Sequence, residues 1–117
     1  MRYFTLDEFD SPDLPGSGQI MDPNFLAMID EARHIACVPF RINSGVRTEE
    51  RNRLVGGSSE SSHLSGFAAD ISATTSNRRW IIIEALIQVG FNRIGVADSF
   101  VHVDNDGSKA RDVMWLY

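Results

Sequence analysis

Ser61-Ser62-His63-Leu64-Ser65-Gly66-Phe67-Ala68-Ala69-Asp70-Ile71 joins a loop to a strand, with an imidazole at one end and a carboxylate near the other. Residues 55–62, with Gly56-Gly57 and four serines, read as a loop, whereas residues 66–71 are small and apolar enough for a buried strand. Asp70 interrupts that strand. A carboxylate there must be paired, hydrogen-bonded or metal-bound, because desolvating a lone one is too costly. His102 raises the same question inside Phe100-Val101-His102-Val103.

Downstream, Ser76 is expected to cap a helix in which Trp80, Ile81, Ile83, Ala85, Leu86 and Ile87 are mainly core, with Gly90 as its stop. Residues 91–96 and 100–104 read as two strands joined by a turn at Ala97-Asp98-Ser99. Residues 110–117 return to the sheet, with Trp115 and Tyr117 either in the core or in a cleft wall.

Upstream, Thr5-Leu6-Asp7-Glu8 has capping-box spacing and predicts one helical turn. Two prolines and two glycines then make residues 11–18 a loop. Asp22 before Pro23 is an N-cap followed by proline at the first helical position. Phe25, Leu26, Met28, Ile29, Ala32, Ile35 and Ala36 follow at helical spacing, leaving Asp30, Glu31 and Arg33 outward and His34 at the surface. Pro39 stops this helix, Phe40-Arg41-Ile42-Asn43 alternates as a half-buried strand, and Thr48 caps a short helix reaching Leu54. Strands and helices that mix without regular alternation predict an α+β fold, a small and largely antiparallel sheet with flanking helices.

The chain has 117 residues, room for a single domain over residues 1–117. Eleven basic against sixteen acidic residues give a net charge of −5 without a basic stripe, so nucleic acid is not an expected partner. No apolar run approaches membrane-spanning length, and a monomer that does not bind membrane is expected. Asp7 and Glu8 come too early for the apolar centre of a signal peptide, so synthesis in the cytoplasm is expected. Cys37 is the single cysteine, which forbids an intramolecular disulfide; a buried structural thiol is the expectation.

With His34 set aside, His63 and His102 remain as imidazoles for a site with Asp70. Two imidazoles and one carboxylate form a common catalytic zinc set, leaving a fourth position for water. Types and spacing alone leave a second reading open, a structural Asp-His hydrogen bond.

The order of residues adds a resemblance. Ser61 to Asp70 matches Ser-x-His-x-x-Gly-x-Ala-x-Asp and resembles the zinc D-alanyl-D-alanine carboxypeptidases and L-alanyl-D-glutamate endopeptidases, whose fold is shared with the hedgehog signalling domain. Phe100-Val101-His102-Val103-Asp104 is similar to that family's last ligand strand. Asn43-Ser44-Gly45-Val46-Arg47 resembles its Ser-Gly-Tyr-Arg element, with Val46 in place of the aromatic, and Asn52 and Gly56-Gly57 also fit. The resemblance covers residues 40–117, while residues 3–18 look like the short phage and prophage members.

This resemblance implies one zinc ion on His63, Asp70 and His102, and peptidoglycan stem peptide as substrate, cut by an endopeptidase or a D,D-carboxypeptidase. It also implies action at the bacterial cell wall after release or delivery by a phage particle. Gly66 would bend the backbone between two ligands and Ala68 would leave space beneath the metal. Arg47 is the cation for a substrate carboxylate or an oxyanion, the alternative being an ion pair with Glu49 or Glu50, and Ser61 can hydrogen-bond substrate. Relatives place a general base three residues before the last ligand, or a His two before it; here those positions hold Ser99 and Phe100. Asp98 is the favoured base, on strand alternation with His102 and Asp104. Asp104 is expected to orient a ligand histidine and is the second candidate base, with Glu60 the third. The competing reading is a non-catalytic, zinc-stabilised module that binds cell wall or protein.

Overall fold

A computed structural model describes residues 1–117. The longest helix, α1 (Pro23–Ala36), begins where Asp22 Oδ2 accepts a hydrogen bond from the Phe25 amide at 2.9 Å. It buries Phe25, Leu26, Ile29 and Ala32. Asp30 is buried as well, against the outward position expected of it. Its carboxylate accepts from the backbone amides of Arg2 and Tyr3 at 3.1 and 3.0 Å and so ties down the N-terminal segment. The helix ends before Pro39, at Cys37, whose φ of 55° is left-handed. Cys37 is exposed, which corrects the expectation of a buried thiol: it stands past the last turn, off the apolar stripe.

Two short helices flank the loop region. A 3-10 turn over Leu6–Phe9 keeps the predicted cap, with the Thr5 amide donating to Glu8 Oε2 at 2.7 Å. A second, Ser17–Ile20, lies partly in the stretch read as irregular loop. Helix α2 (Glu49–Leu54) is capped by Thr48 as expected, and its Asn52 is buried.

Helix α3 (Ser76–Gln88) is capped by Thr75 rather than Ser76, through a bond from the Arg78 amide at 3.1 Å. Ile82, Ala85 and Leu86 are its buried residues, whereas Trp80 is 69% exposed and Ile87 51%. Ala85 and Leu86 are core as expected, whereas Trp80 and Ile87 are not and Ile82 joins the stripe instead. Four consecutive apolar residues at 80–83 fit more than one helical face, and packing against α1 selects the one through Ile82.

Strands β1 (Ile42–Ser44), β2 (Ala68–Ser72), β3 (Arg93–Val96), β4 (Phe100–Asp104) and β5 (Val113–Leu116) form one sheet in the order β1-β2-β4-β3-β5. All pairs are antiparallel except β3 with β5. The fold is α+β, as expected. Because side chains alternate across a sheet, Ala69, Ile71, Ile94, Val101 and Val103 join the helices in one core, and the intervening residues face the other way. On that other face a row of paired positions crosses all five strands: Ser44, Asp70, His102, Gly95 and Trp115. No helix is long and apolar enough to cross a membrane.

Candidate metal centre

The cross-sheet row brings Asp70 of β2 beside His102 of β4, and the preceding loop carries His63 to the same point. Asp70 Oδ1 lies 2.9 Å from His102 Nδ1 and 3.3 Å from His63 Nε2. All three ligand atoms lie within 4.8 Å of one another, and all three residues are buried. The other nitrogen of each ring is already engaged. His63 Nδ1 donates to the Gly45 carbonyl at 2.7 Å, and His102 Nε2 meets Asp104 Oδ2 at 2.7 Å. These partners fix which nitrogen of each ring faces Asp70.

The donor set fits zinc. Ligand atoms around a tetrahedral ion with bonds of about 2.0–2.2 Å stand roughly 3.3–3.6 Å apart, close to the separations around Asp70 Oδ1. Two neutral imidazoles and one carboxylate suit a borderline metal and leave a fourth position open.

Electrostatics follow the same contacts. Burial alone would raise the pKa of Asp70, but hydrogen bonds from His102 and His63 outweigh it and hold the carboxyl well below the usual range. Burial likewise opposes a charge on His102, yet Asp104 and Asp70 at its two ring nitrogens raise its pKa. Asp104 is held low against burial by His102 and by Arg93, whose Nε donates to Asp104 Oδ1 at 2.7 Å.

Arg47 reaches this centre from the loop after β1. Its Nε donates to Ser44 Oγ at 3.1 Å, one terminal nitrogen to Asn52 Oδ1 at 3.3 Å and the other to Asp70 Oδ2 at 3.4 Å. Its ion pair is therefore with Asp70. Glycine is needed beside it: a Cβ at Gly57 would fall 2.0 Å from Asn52 Oδ1 and 3.1 Å from Arg47 Nη1. The three ligands and Arg47 line a cavity of about 420 Å³ together with Ser61, Lys109, Trp115 and Tyr117.

Two expected residues are not brought to this cavity. Asp98 is exposed in the turn between β3 and β4 and does not line it. β4 begins only at Phe100, so Asp98 does not continue the strand that carries His102 and strand alternation does not set its side. Glu60 is also exposed and outside the lining, and its carbonyl accepts from Lys109 Nζ at 2.6 Å. His34 is on the surface, where Nδ1 meets the Tyr3 hydroxyl at 2.6 Å.

Arg93 and Lys109 are site residues that the sequence reading passed over. Arg93 was legible in principle: a hairpin with a three-residue turn sets it near Asp104, on the same face as Gly95. Lys109 carried no such signal, since its place depends on the loop after β4 folding back over Ser62, whose Oγ its Nζ meets at 2.9 Å.

A search of curated proteins found no match to this chain. The family model described as Peptidase M15 matches residues 2–104, which include all three ligands, Arg47 and Asp104. The match spans most of the chain and its ligand set is assembled in the fold, so the chain belongs to the peptidase M15 family of zinc peptidases.

Proposed function

We propose that this protein hydrolyses peptide bonds in the stem peptides of peptidoglycan, with one zinc ion held by His63, Asp70 and His102. The observation that carries the reading is the convergence of three ligand atoms within 4.8 Å on the wall of a cavity that Arg47 also lines. Zinc in such a site polarises a carbonyl and lowers the pKa of bound water towards 7.

The chain's own residues supply orientation and charge. Gly45 and Asp104 hold the two imidazoles in their tautomers. Arg47 has five N–H donors, only some of them engaged by Ser44, Asn52 and Asp70, and offers the rest to a substrate carboxylate or to the oxyanion of an attacked carbonyl. Ser61 lines the same cavity as a further hydrogen-bonding group for substrate. We place the action at the bacterial cell wall, reached on lysis or carried there by a phage particle, because residues 3–18 look like the short phage members.

One observation favours a second reading, a zinc-stabilised binding module without hydrolysis. Both carboxylates that line the cavity are engaged: Asp70 by His63, His102 and Arg47, and Asp104 by His102 and Arg93. Neither is free to take a proton from water without giving up a partner. Digestion of purified cell walls by zinc-loaded protein, followed by mass analysis of released peptides, separates the readings. Hydrolysis predicts new peptide ends that vanish on chelation, with free D-alanine marking a carboxypeptidase and larger fragments an endopeptidase. Absence of new ends from several wall types, with zinc bound, supports the binding module.

A further inference from the structure

Gly95 stands between His102 and Trp115 in the cross-sheet row, paired with each. A Cβ at Gly95 would fall 2.7 Å from Trp115 Nε1 and 2.7 Å from Tyr117 Cε2. The missing side chain is what allows the indole to lie across β3 towards the metal centre. There its ring sits 5.5 Å from the His102 ring, centroid to centroid, at an interplanar angle of 49°.

The same indole has a second neighbour. The Arg93 guanidinium lies over it, 5.0 Å from the ring centroid, and donates from Nε to Asp104 Oδ1 at 2.7 Å. Asp104 Oδ2 in turn meets His102 Nε2 at 2.7 Å. His102, Asp104, Arg93 and Trp115 thus close a circuit over three strands. The family match ends at residue 104, so β5 brings Trp115 to the ligand from beyond the matched segment. Elsewhere β5 is weakly held: it is an edge strand, and Met114 and Leu116 on its opposite face are 54% and 82% exposed.

We infer that Trp115 is a positioning residue for the metal ligand His102. The indole closes one side of the imidazole while Asp104, steadied by Arg93, holds its Nε2, so that Nδ1 faces Asp70 and His63 before metal arrives. Groups that orient a ligand without touching the ion commonly carry a 10- to 100-fold share of metal affinity. This inference rests on the reading of His63, Asp70 and His102 as the zinc site.

The test measures zinc affinity by competition with a chromophoric chelator, alongside the visible absorption of the cobalt-substituted protein. Trp115→Ala is expected to weaken zinc by about tenfold and to alter the cobalt spectrum, while Trp115→Phe restores affinity to within about threefold of the parent. Leu116→Ala removes an exposed side chain from the same strand and is expected to change affinity by less than about twofold. Gly95→Ala pushes the indole aside without deleting it and is expected to act like Trp115→Ala. A folded Trp115→Ala protein with parental zinc affinity and an unchanged cobalt spectrum overturns the inference. Should Trp115→Ala not fold, the same null result in Gly95→Ala overturns it. A parent protein that binds no zinc overturns the metal-site reading and this inference together, whereas tight zinc in parent and variants alike overturns the inference alone.

Discussion

Asp104 Oδ2 stands 2.7 Å from Nε2 of His102, and the aspartate is buried beneath the ring it orients. A carboxylate in that place fixes the tautomer that turns Nδ1 toward the metal position and makes the ring more basic. Asp104→Asn keeps the shape but removes the charge and cannot serve His102 and Arg93 equally. Zinc affinity is expected to fall by about tenfold or more, read by chelator competition. Parental affinity in Asp104→Asn would show that the pair contributes nothing to metal binding.

Asp98 gives the opposite expectation. It is exposed on the β3–β4 turn and does not line the cavity, so Asp98→Asn should leave wall-peptide hydrolysis within about twofold of the parent, as surface changes usually do. A drop of about a hundredfold in turnover, with zinc retained, is the signature of a lost general base and would return Asp98 to the mechanism.

The close approach of Gly45 to Phe9 makes a packing prediction. A Cβ at Gly45 would fall 2.6 Å from the Phe9 carbonyl oxygen, and the Gly45 carbonyl is the acceptor for His63 Nδ1. Gly45→Ala is therefore expected to destabilise the fold by about 1–3 kcal/mol and to weaken zinc binding through His63. Urea melts with and without zinc measure both effects. An unchanged midpoint would mean that the backbone there yields freely.

Asp30 links stability to pH. Burial works to raise its pKa, but hydrogen bonds from the Tyr3 and Arg2 amides and the Arg2 side chain outweigh it, leaving it below its ordinary value of 3.8. A lowered folded pKa means that the stabilisation is complete above that ordinary value and is lost as pH falls through the lower folded one. Asp30→Asn should be less stable than the parent by about 1–3 kcal/mol at neutral pH, as for hydrogen bonds to a charged group. The gap should narrow below the ordinary carboxylate pKa in urea melts run across acid pH. A gap that stays constant down to pH 2 would show that the charge plays no part.

Local signals made some of this fold legible. Asp22-Pro23 marked the start of α1, and Thr48 the start of α2, because caps are satisfied within three residues. The site ligands were legible through the resemblance of residues 61–70 and 100–104 to a zinc-peptidase signature, since residue types and spacing alone leave a structural Asp-His hydrogen bond open. What sequence reading missed depends on distant partners. Asp30 reads as outward on helical spacing since nothing near it reveals that the amides of residues 2 and 3 return to it. Trp80 reads as core from sequence yet is exposed, because an apolar run fixes no single helical phase. Trp115 fits core or cleft by sequence, as its place beside His102 depends on the missing side chain of Gly95 on a neighbouring strand. Strand alternation does not reach Asp98, because β4 begins at Phe100 and residues 97–99 form a turn.

Metal content tests the central claim most directly. Zinc quantified by mass spectrometry in purified parent, His63→Ala and Asp70→Ala proteins, each checked for folding by circular dichroism, should read about one ion per parent chain and almost none in the variants. Stoichiometric zinc retained in the folded variants, or a parent that takes up no zinc, would contradict the assignment of His63, Asp70 and His102 as the metal site.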